Sequence, residues 1–418
     1  MIQEKLFTAT QSKNNFCLNQ AATHNQPTAT NNRLLSLDAL RGFDMFWIVS
    51  GEGIFHGLAA AVKNKYGLIQ DKTTWQIATT EQLSFFERIL VGISNQLHHT
   101  VWNGFTFYDL IFPLFIFIAG VSMPFSYSKQ LSGGADAKKK IYRSLIKRTI
   151  ILLLLGMVVN GLLQFKPYDE TRFASVLGRI ALSCFFAAII YLNASFRWRI
   201  AWVVLLLLGY WLMLLFIPVP GFGAGDLTAE GNFAAYIDRL FLPGKLHRTV
   251  YDPEGILSTI PAIATALLGV FTGEFLRLQQ PAKQKKTLYL VIAGAALVFT
   301  GWLWSFVFPI NKNLWTSSFV LYTGGWSLLL LALFYFIIDV QQIRTWSIPF
   351  VWLGCNSILI YMAAHGVVNF PSTSEFLFGG IIKQFSPQWN EALLWTGVAL
   401  IQFIALYLLY KRKLFLKL

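Results

Sequence analysis

FTFYDLIFPLFIFIAGVSMPFSY, residues 105–127, is a run of bilayer length in which Asp109 is the sole charged residue. Crossing a hydrocarbon layer of roughly 30 Å takes about 20 helical residues. A stretch this apolar predicts a transmembrane helix, because in lipid each backbone amide has to find its partner inside the segment itself. Comparable runs lie at approximately 38–60, 149–165, 173–194, 200–218, 256–278, 288–308, 314–340, 347–370 and 392–410. The sequence therefore predicts an all-α, polytopic transmembrane helical bundle of about ten helices. An even number returns the chain to the side on which it started.

Composition points the same way. Of 418 residues, 55% are hydrophobic and 13% charged, and the mean hydropathy is +0.52. A water-soluble domain has no means of hiding that much apolar surface, so the lipid bilayer is a partner. The net charge of +14 raises nucleic acid as a ligand, but the cations punctuate the apolar runs and form no aromatic-interleaved patch. That excludes nucleic acid and encodes orientation. With a cytoplasmic N-terminus, about two-thirds of the 34 Lys and Arg fall on the cytoplasmic side, chiefly in KKKIYRSLIKR (138–148) and KRKLFLK (411–417). Both termini are thus expected in the cytoplasm. Three long loops, 61–104, 219–255 and 371–391, gather on the outer side. Cys17, Cys184 and Cys355 are too scattered for a disulfide framework or a zinc site. Residues 1–32, rich in Asn, Gln, Thr and Ala, read as a disordered polar tail without a signal peptide, leaving 33–418 as one membrane domain.

Ionisable residues inside spans are costly, which makes them functional suspects. In the first run, LDALRGFDMFWIVSGEGIFH (37–56), a constant 100° per residue puts Asp38, Arg41, Asp44, Glu52 and His56 on one face. The first three also suit an interfacial ion-pair cluster, whereas Glu52 sits deeper. His98 and His99 stand directly before the 105–127 run. A histidine with a pKa near 6.5 is a natural general base for an amine or hydroxyl, although loop histidines are often merely solvated. Nothing about the pair's spacing supports a metal. Asp109 is expected to cap its helix. Further polar positions are Asp238 and Arg239, Asp252 and Glu254 (with Asp252 placed to cap the helix that follows), Glu274, the turn Asn311, Lys312 and Asn313, and Asn356 and His365 within the ninth run. The last two suit interhelical hydrogen bonds.

Six segments in order, RLLSLDALRGFDM, HTVWNGFTFYDLIFPLFIFIAG, AAYIDRL, YDPEGIL, PINKNLW and NSILIY, spread from Arg33 to Tyr361. Together they resemble the heparan-alpha-glucosaminide N-acetyltransferase family of membrane acyltransferases, in particular its bacterial relatives. The resemblance implies a multi-pass protein of the bacterial inner (cytoplasmic) membrane. It would carry an acetyl group from cytosolic acetyl-CoA, the co-substrate, to the amine of a glucosamine-type sugar or glycan across the membrane, without a metal. The family's catalytic histidine, separated from Trp-Asn-Gly by two residues, lands on His99. A second active-site position, an asparagine in the animal enzymes, lands on Glu52. Around them His56, His98, Trp102, Asn103, Asp238, Arg239, Asp252, Glu254, Lys312 and Asn313 are the expected acceptor-side residues. Arg41, Arg143, Lys147, Arg148, Arg179 and Asn356 are expected to meet CoA, although the loop cations also serve as the orientation signal. The animal enzymes' large lumenal N-terminal domain and extra helix have no expected counterpart, so their glycan specificity and lysosomal location are not carried over. A homodimer is left open. So are an amino-sugar transporter, with the polar stripe as solute path, and an O-acetyltransferase of envelope polysaccharide. A thioester needs no metal to be attacked by an amine, but the amine has to be neutral, which calls for a base such as His99 or Glu52.

Overall fold

The computed structural model describes residues 34–131 and 134–416, so the polar stretch 1–32, Cys17 and Lys417 lie outside the described residues. Among them the regular structure is helical, apart from isolated bridges. Helix α1 (Leu35–Phe46) runs through a π turn at Trp47–Gly51 into α2 (Glu52–Tyr66). There follow α3 (Phe85–Gln96), α4 (Phe107–Leu131), α5 (Gly134–Val159), α6 (Val176–Asn193), α7 (Phe196–Phe216), α8 (Phe233–Phe241) and α9 (Thr259–Arg277). The chain closes with α10 (Lys283–Trp304), α11 (Ser317–Tyr335), α12 (Ile348–Cys355), α13 (Ser357–Met362), α14 (Phe370–Ile382) and α15 (Asn390–Lys411).

Eight of the described helices are long and apolar enough to cross a bilayer. A further pair, Thr345–Cys355 with Ser357–Val367, has the length and composition of a span only when its two halves are taken together, and it is bent by 67°. The remaining apolar run, at 149–165, is helical only as far as Val159 and shares α5 with the basic segment 138–148. Those charges take α5 outside the composition of a simple span, while its 26 residues give it the length to cross. The protein is a polytopic membrane bundle.

Helix α9 is the axle, with 72% of its apolar window buried, against 17% for α10 on the lipid-facing rim. Its partner α4 approaches at backbone distance. A Cβ on Gly269 would stand 2.1 Å from the Phe117 carbonyl oxygen, and one on Gly273 2.3 Å from that of Val121. Small residues four apart allow this approach, which in lipid replaces the missing hydrophobic drive with van der Waals packing. Around the pair, Leu145 of α5, Leu177 and Ile180 of α6 and Phe319 of α11 complete one buried cluster. The rigid α4–α9 pair fixes where the first turn of α4 stands, and that turn carries the site.

Candidate active site

The site begins as a helix cap. Asp109 is the third residue of α4, and its Oδ2 accepts from the Thr106 amide at 3.2 Å and the Thr106 hydroxyl at 3.1 Å. This is one half of a capping box, in which the third-residue carboxylate satisfies the amide just ahead of the helix. The Thr100 amide (3.3 Å) and hydroxyl (3.0 Å) reach the same oxygen. The Thr106 hydroxyl also donates to the His98 carbonyl at 2.7 Å, folding the loop back over the helix end. The other oxygen, Oδ1, stands 2.8 Å from His99 Nδ1. Asp109 is fully buried, so its charge is held by these donors and not by water. A carboxylate at this distance favours the ring proton on Nδ1 and so makes Nε2 the basic nitrogen, the division of labour seen in histidine–carboxylate pairs.

Lys312 completes this cluster from the α10–α11 turn. Two bonds tie that turn to the histidine loop, Asn311 Nδ2 to Asn103 Oδ1 at 3.1 Å and the Gly104 amide to the Ile310 carbonyl at 2.9 Å. Gly104 has φ +119°, which a side chain would resist. The result places Lys312 Nζ 2.9 and 3.0 Å from the two ring nitrogens of His99 and 3.6 Å from Asp109 Oδ1. Burial lowers the pKa of the ammonium, with Asp109 opposing. Desolvation by the cavity walls, and then the Lys312 charge, lower the pKa of the His99 imidazole, although the side chain is 49% exposed, and so favour its neutral form.

Glu52 arrives by a different route. A constant 100° progression fails at Trp47–Gly51, where the helix widens to a π turn and delays every later side chain. Glu52 and His56 therefore do not continue the stripe of Asp38 and Arg41. Glu52 Oε2 accepts a short hydrogen bond from the Tyr108 hydroxyl, and Oε1 lies 3.4 Å from His56 Nε2. The Tyr108 ring lies 4.7 Å from that of His99, so the tyrosine links the two predicted catalytic positions. His56 is braced by Ser94 Oγ at 2.8 Å and stacks on His98 at 4.1 Å. Burial and the neighbouring His56 push His98 down to about 4.

Glu52, His98, His99, Tyr108, Lys312 and Asn313 all line one cavity of about 740 Å³. Its far wall is Arg172, His247, Arg248, Tyr251 and Glu254. Arg172 holds Asp252 bidentately (Nε–Oδ2 2.8 Å, Nη2–Oδ1 2.6 Å) and also makes a short bond to Glu254. The other expected acceptor-side residues stand behind the walls. Trp102 donates to the Leu227 carbonyl at 2.9 Å, and Arg239 donates to that of Val250 at 2.8 Å. Asp238 accepts from the Ile256 amide at 2.8 Å, and burial pushes its carboxyl up to about 7. Tyr108, Asp109, Arg172, His247 and Tyr251 were not singled out for the site from the sequence. Only Asp109 left a legible signal there, as a cap.

Two further spaces follow in series. Val176 is shared with a narrow apolar one of about 40 Å³ between Met45, Phe112, Phe115 and Tyr361. Ile180 is shared with the next, of about 170 Å³, lined by Ser122, Ser126, Tyr127 and Arg148. Tyr108 and Ser122 stand about 21 Å apart along α4. At this far end Arg41 donates to Ser122 Oγ at 2.9 Å and lies 3.5 Å from Asp38. Arg143, Lys147 and Arg148 are exposed there. Two residues expected to meet CoA do not line these two spaces. Arg179 is buried under the loop before α9, donating to the Gly255 carbonyl at 3.2 Å and, by a short bond, to Ser258 Oγ. Asn356 ties down the C-terminal segment through the Leu414 carbonyl (3.1 Å) and Leu416 amide (3.0 Å). Among the described residues no group of three or more His, Cys, Asp and Glu is placed to hold a metal.

Fold and site together define a multi-pass membrane protein with a histidine–aspartate pair opening on a large polar cavity at one end of its bundle. A family model described as the catalytic region of heparan-alpha-glucosaminide N-acetyltransferase matches residues 82–308, more than half of the chain and the part that carries His99, Asp109, Arg172 and Glu254. The chain belongs to this family. It is 31% identical over 377 residues to heparan-alpha-glucosaminide N-acetyltransferase of Homo sapiens, covering 76% of this chain and 55% of the relative. The Mus musculus protein of the same name is 30% identical over 391 residues, covering 76% and 56%. The chain thus spans about half the length of the curated relatives it matches.

Proposed function

We propose that the protein transfers the acetyl group of acetyl-CoA, supplied from the cytoplasm, to the amine of a glucosamine-type sugar held at His99. That cavity then faces the outer side of a bacterial inner membrane, with both chain termini inside. The observation that carries this reading is the buried Asp109 carboxylate fixing His99 Nδ1 at 2.8 Å while the ring faces a cavity of about 740 Å³. The chain of spaces from there to Arg148 supports a donor entering from the opposite end, its phosphates meeting the exposed cations and its pantetheine arm passing between Phe112, Phe115 and Tyr361. Basic residues at that end also agree with a cytoplasmic location.

The chemistry needs only groups already in place. Once the sugar amine has shed its ammonium proton to water, its nitrogen attacks the thioester carbonyl carbon. His99 Nε2 takes a second amine proton as the C–N bond forms. Negative charge on the carbonyl oxygen meets the Lys312 ammonium, a fixed cation in a water-poor site. The C–S bond then breaks, and the proton held by His99 passes to the departing thiolate. The products are an amide and the CoA thiol.

The test is acetylation of glucosamine by the purified protein in liposomes, with the product identified by mass and by its resistance to mild base. Wild type is expected to form the amide and His99→Ala to lose nearly all turnover. Equal rates for the two proteins would contradict the role given to His99, and a base-labile product would point to an ester.

A further inference from the structure

Beside the catalytic cavity lies a second space of about 450 Å³, within the roughly 300–1,000 Å³ range of small-molecule sites. Its character is the opposite. The lining is almost wholly apolar, with Leu153 and Met157 from α5, Leu182 and Phe186 from α6, and Ile256 and Ile260 at the entry to α9. These helices belong to the membrane-crossing bundle, and Phe186 and Ile256 are exposed at the groove. It therefore opens sideways into lipid, where its contents are hydrocarbon.

Two observations separate it from an ordinary lipid-facing furrow. Glu254 lines both this groove and the catalytic cavity, so one side chain divides them. At that junction Arg179, 2% exposed, also lines the groove. Its Nη2 is engaged by Gly255 and Ser258, yet Nε and Nη1 have no hydrogen-bond partner among the described residues. A buried guanidinium edge without a partner is costly, and a ligand acceptor oxygen placed there removes that cost. The nearby carboxylates outnumber the cations, with Arg172 and Arg179 facing Asp238, Asp252 and Glu254, which leaves no excess positive charge for an anion. The oxygen is therefore a glycosidic or ester one, not a multiply charged phosphate.

Resting on the reaction proposed above, we infer that the acceptor is lipid-anchored: its hydrocarbon tail occupies this groove, its linking oxygen meets Arg179, and its amino sugar reaches past Glu254 to His99. The tail gains little by leaving lipid for the groove. Its effect is to hold the sugar beside the base and raise its local concentration.

The experiment compares hexadecyl glucosaminide with methyl glucosaminide as acceptors for the full chain in liposomes. The expected ratio of kcat/KM values is about tenfold or more in favour of the long chain. Partition into the bilayer contributes to that ratio, so the decisive arm is Ile256→Trp, which narrows the groove and is expected to reduce the ratio about tenfold. A hexadecyl glucosaminide carrying a photoreactive diazirine in its tail is expected to label residues 153–157, 182–186 and 256–263. Unlabelled hexadecyl glucosaminide should displace it and hexadecanol should not. An unchanged ratio in Ile256→Trp, labelling elsewhere, or equal displacement by hexadecanol would overturn the inference, the last identifying a structural lipid site. If neither glucosaminide is acetylated, the parent reaction fails, and that result is distinct from the failure of the groove alone.

Discussion

The two ends of helix α4 carry opposite kinds of polar chemistry. Around its first turn most charged groups are held by a neighbour: Asp109 by His99, Thr100 and Thr106, Glu52 by Tyr108, and Arg172 by Asp252 and Glu254, with Arg248 in the far wall the exception. Fourteen residues on, at Ser122, the cavity is bordered by cations in the open, since Arg143, Lys147 and Arg148 make no hydrogen bond or ion pair among the described residues. A fixed network keeps its geometry through a reaction, which is what a base and an oxyanion partner require. Loose cations suit a diffusible polyanion that has to enter and leave, and they lose little if one is removed. Under the proposed reaction, chemistry belongs to one end and donor capture to the other.

Substitutions break or sharpen that contrast in order of size. At the fixed end, His99→Ala is expected to lower kcat about 10³-fold, and Asp109→Asn, which keeps an oxygen for the cap, by a similar factor. Steady-state rates with circular dichroism as a folding control check both. Lys312→Met comes next, with a fall of about 10²-fold in kcat. It also moves the pH profile in a defined direction. Only neutral His99 is active, and its pKa is held below 6.5, so activity is lost as pH falls through that lowered value. Removing the ammonium relieves part of the depression, and the acid limb of the profile shifts to higher pH. A limb that stays put would separate Lys312 from the base.

Effects at the loose end are smaller and of another kind. Arg148→Ala is expected to raise the KM for acetyl-CoA about tenfold with kcat nearly unchanged, the signature of lost uniform binding. A fall in kcat instead would erase the distinction between the ends. Smallest of all, Asn103→Ala removes the Asn311 bond that seats the Lys312 turn, a loss of about 1 kcal/mol and so about fivefold in kcat.

The spans were plain in the sequence because lipid imposes one solution, a helix of bilayer length, wherever the chain is apolar. What escaped was local departure from that rule. Nothing in WIVSG announces a π turn, and without it the first helix reads as a single polar stripe. The ninth run looks continuous, yet it breaks by 67° beside Asn356. Within the candidate site, Glu52 could be named as a carboxylate inside a span, and His99, Glu254, Lys312 and Asn313 from the motifs that carry the family resemblance. Arg172 could not, since its meaning comes from carboxylates 80 and 82 residues away. Arg179 was visible as a buried cation, but its position, against Ser258 and not beside Arg148, depends on the packing of α6 against α9. Asp109 shows the limit most clearly: its capping was readable from its place at the start of the helix, while its hold on His99 needed the loop's return.

The central claim is that donor and acceptor meet from opposite ends of the bundle. It is tested most directly in proteoliposomes of known orientation, with acetyl-CoA confined to the side of Arg148 and glucosamine to the side of His99. Acetylated sugar is expected to accumulate on the glucosamine side only, and to fail when both substrates are placed together on the His99 side. Product formed only when the two share that compartment would contradict the account.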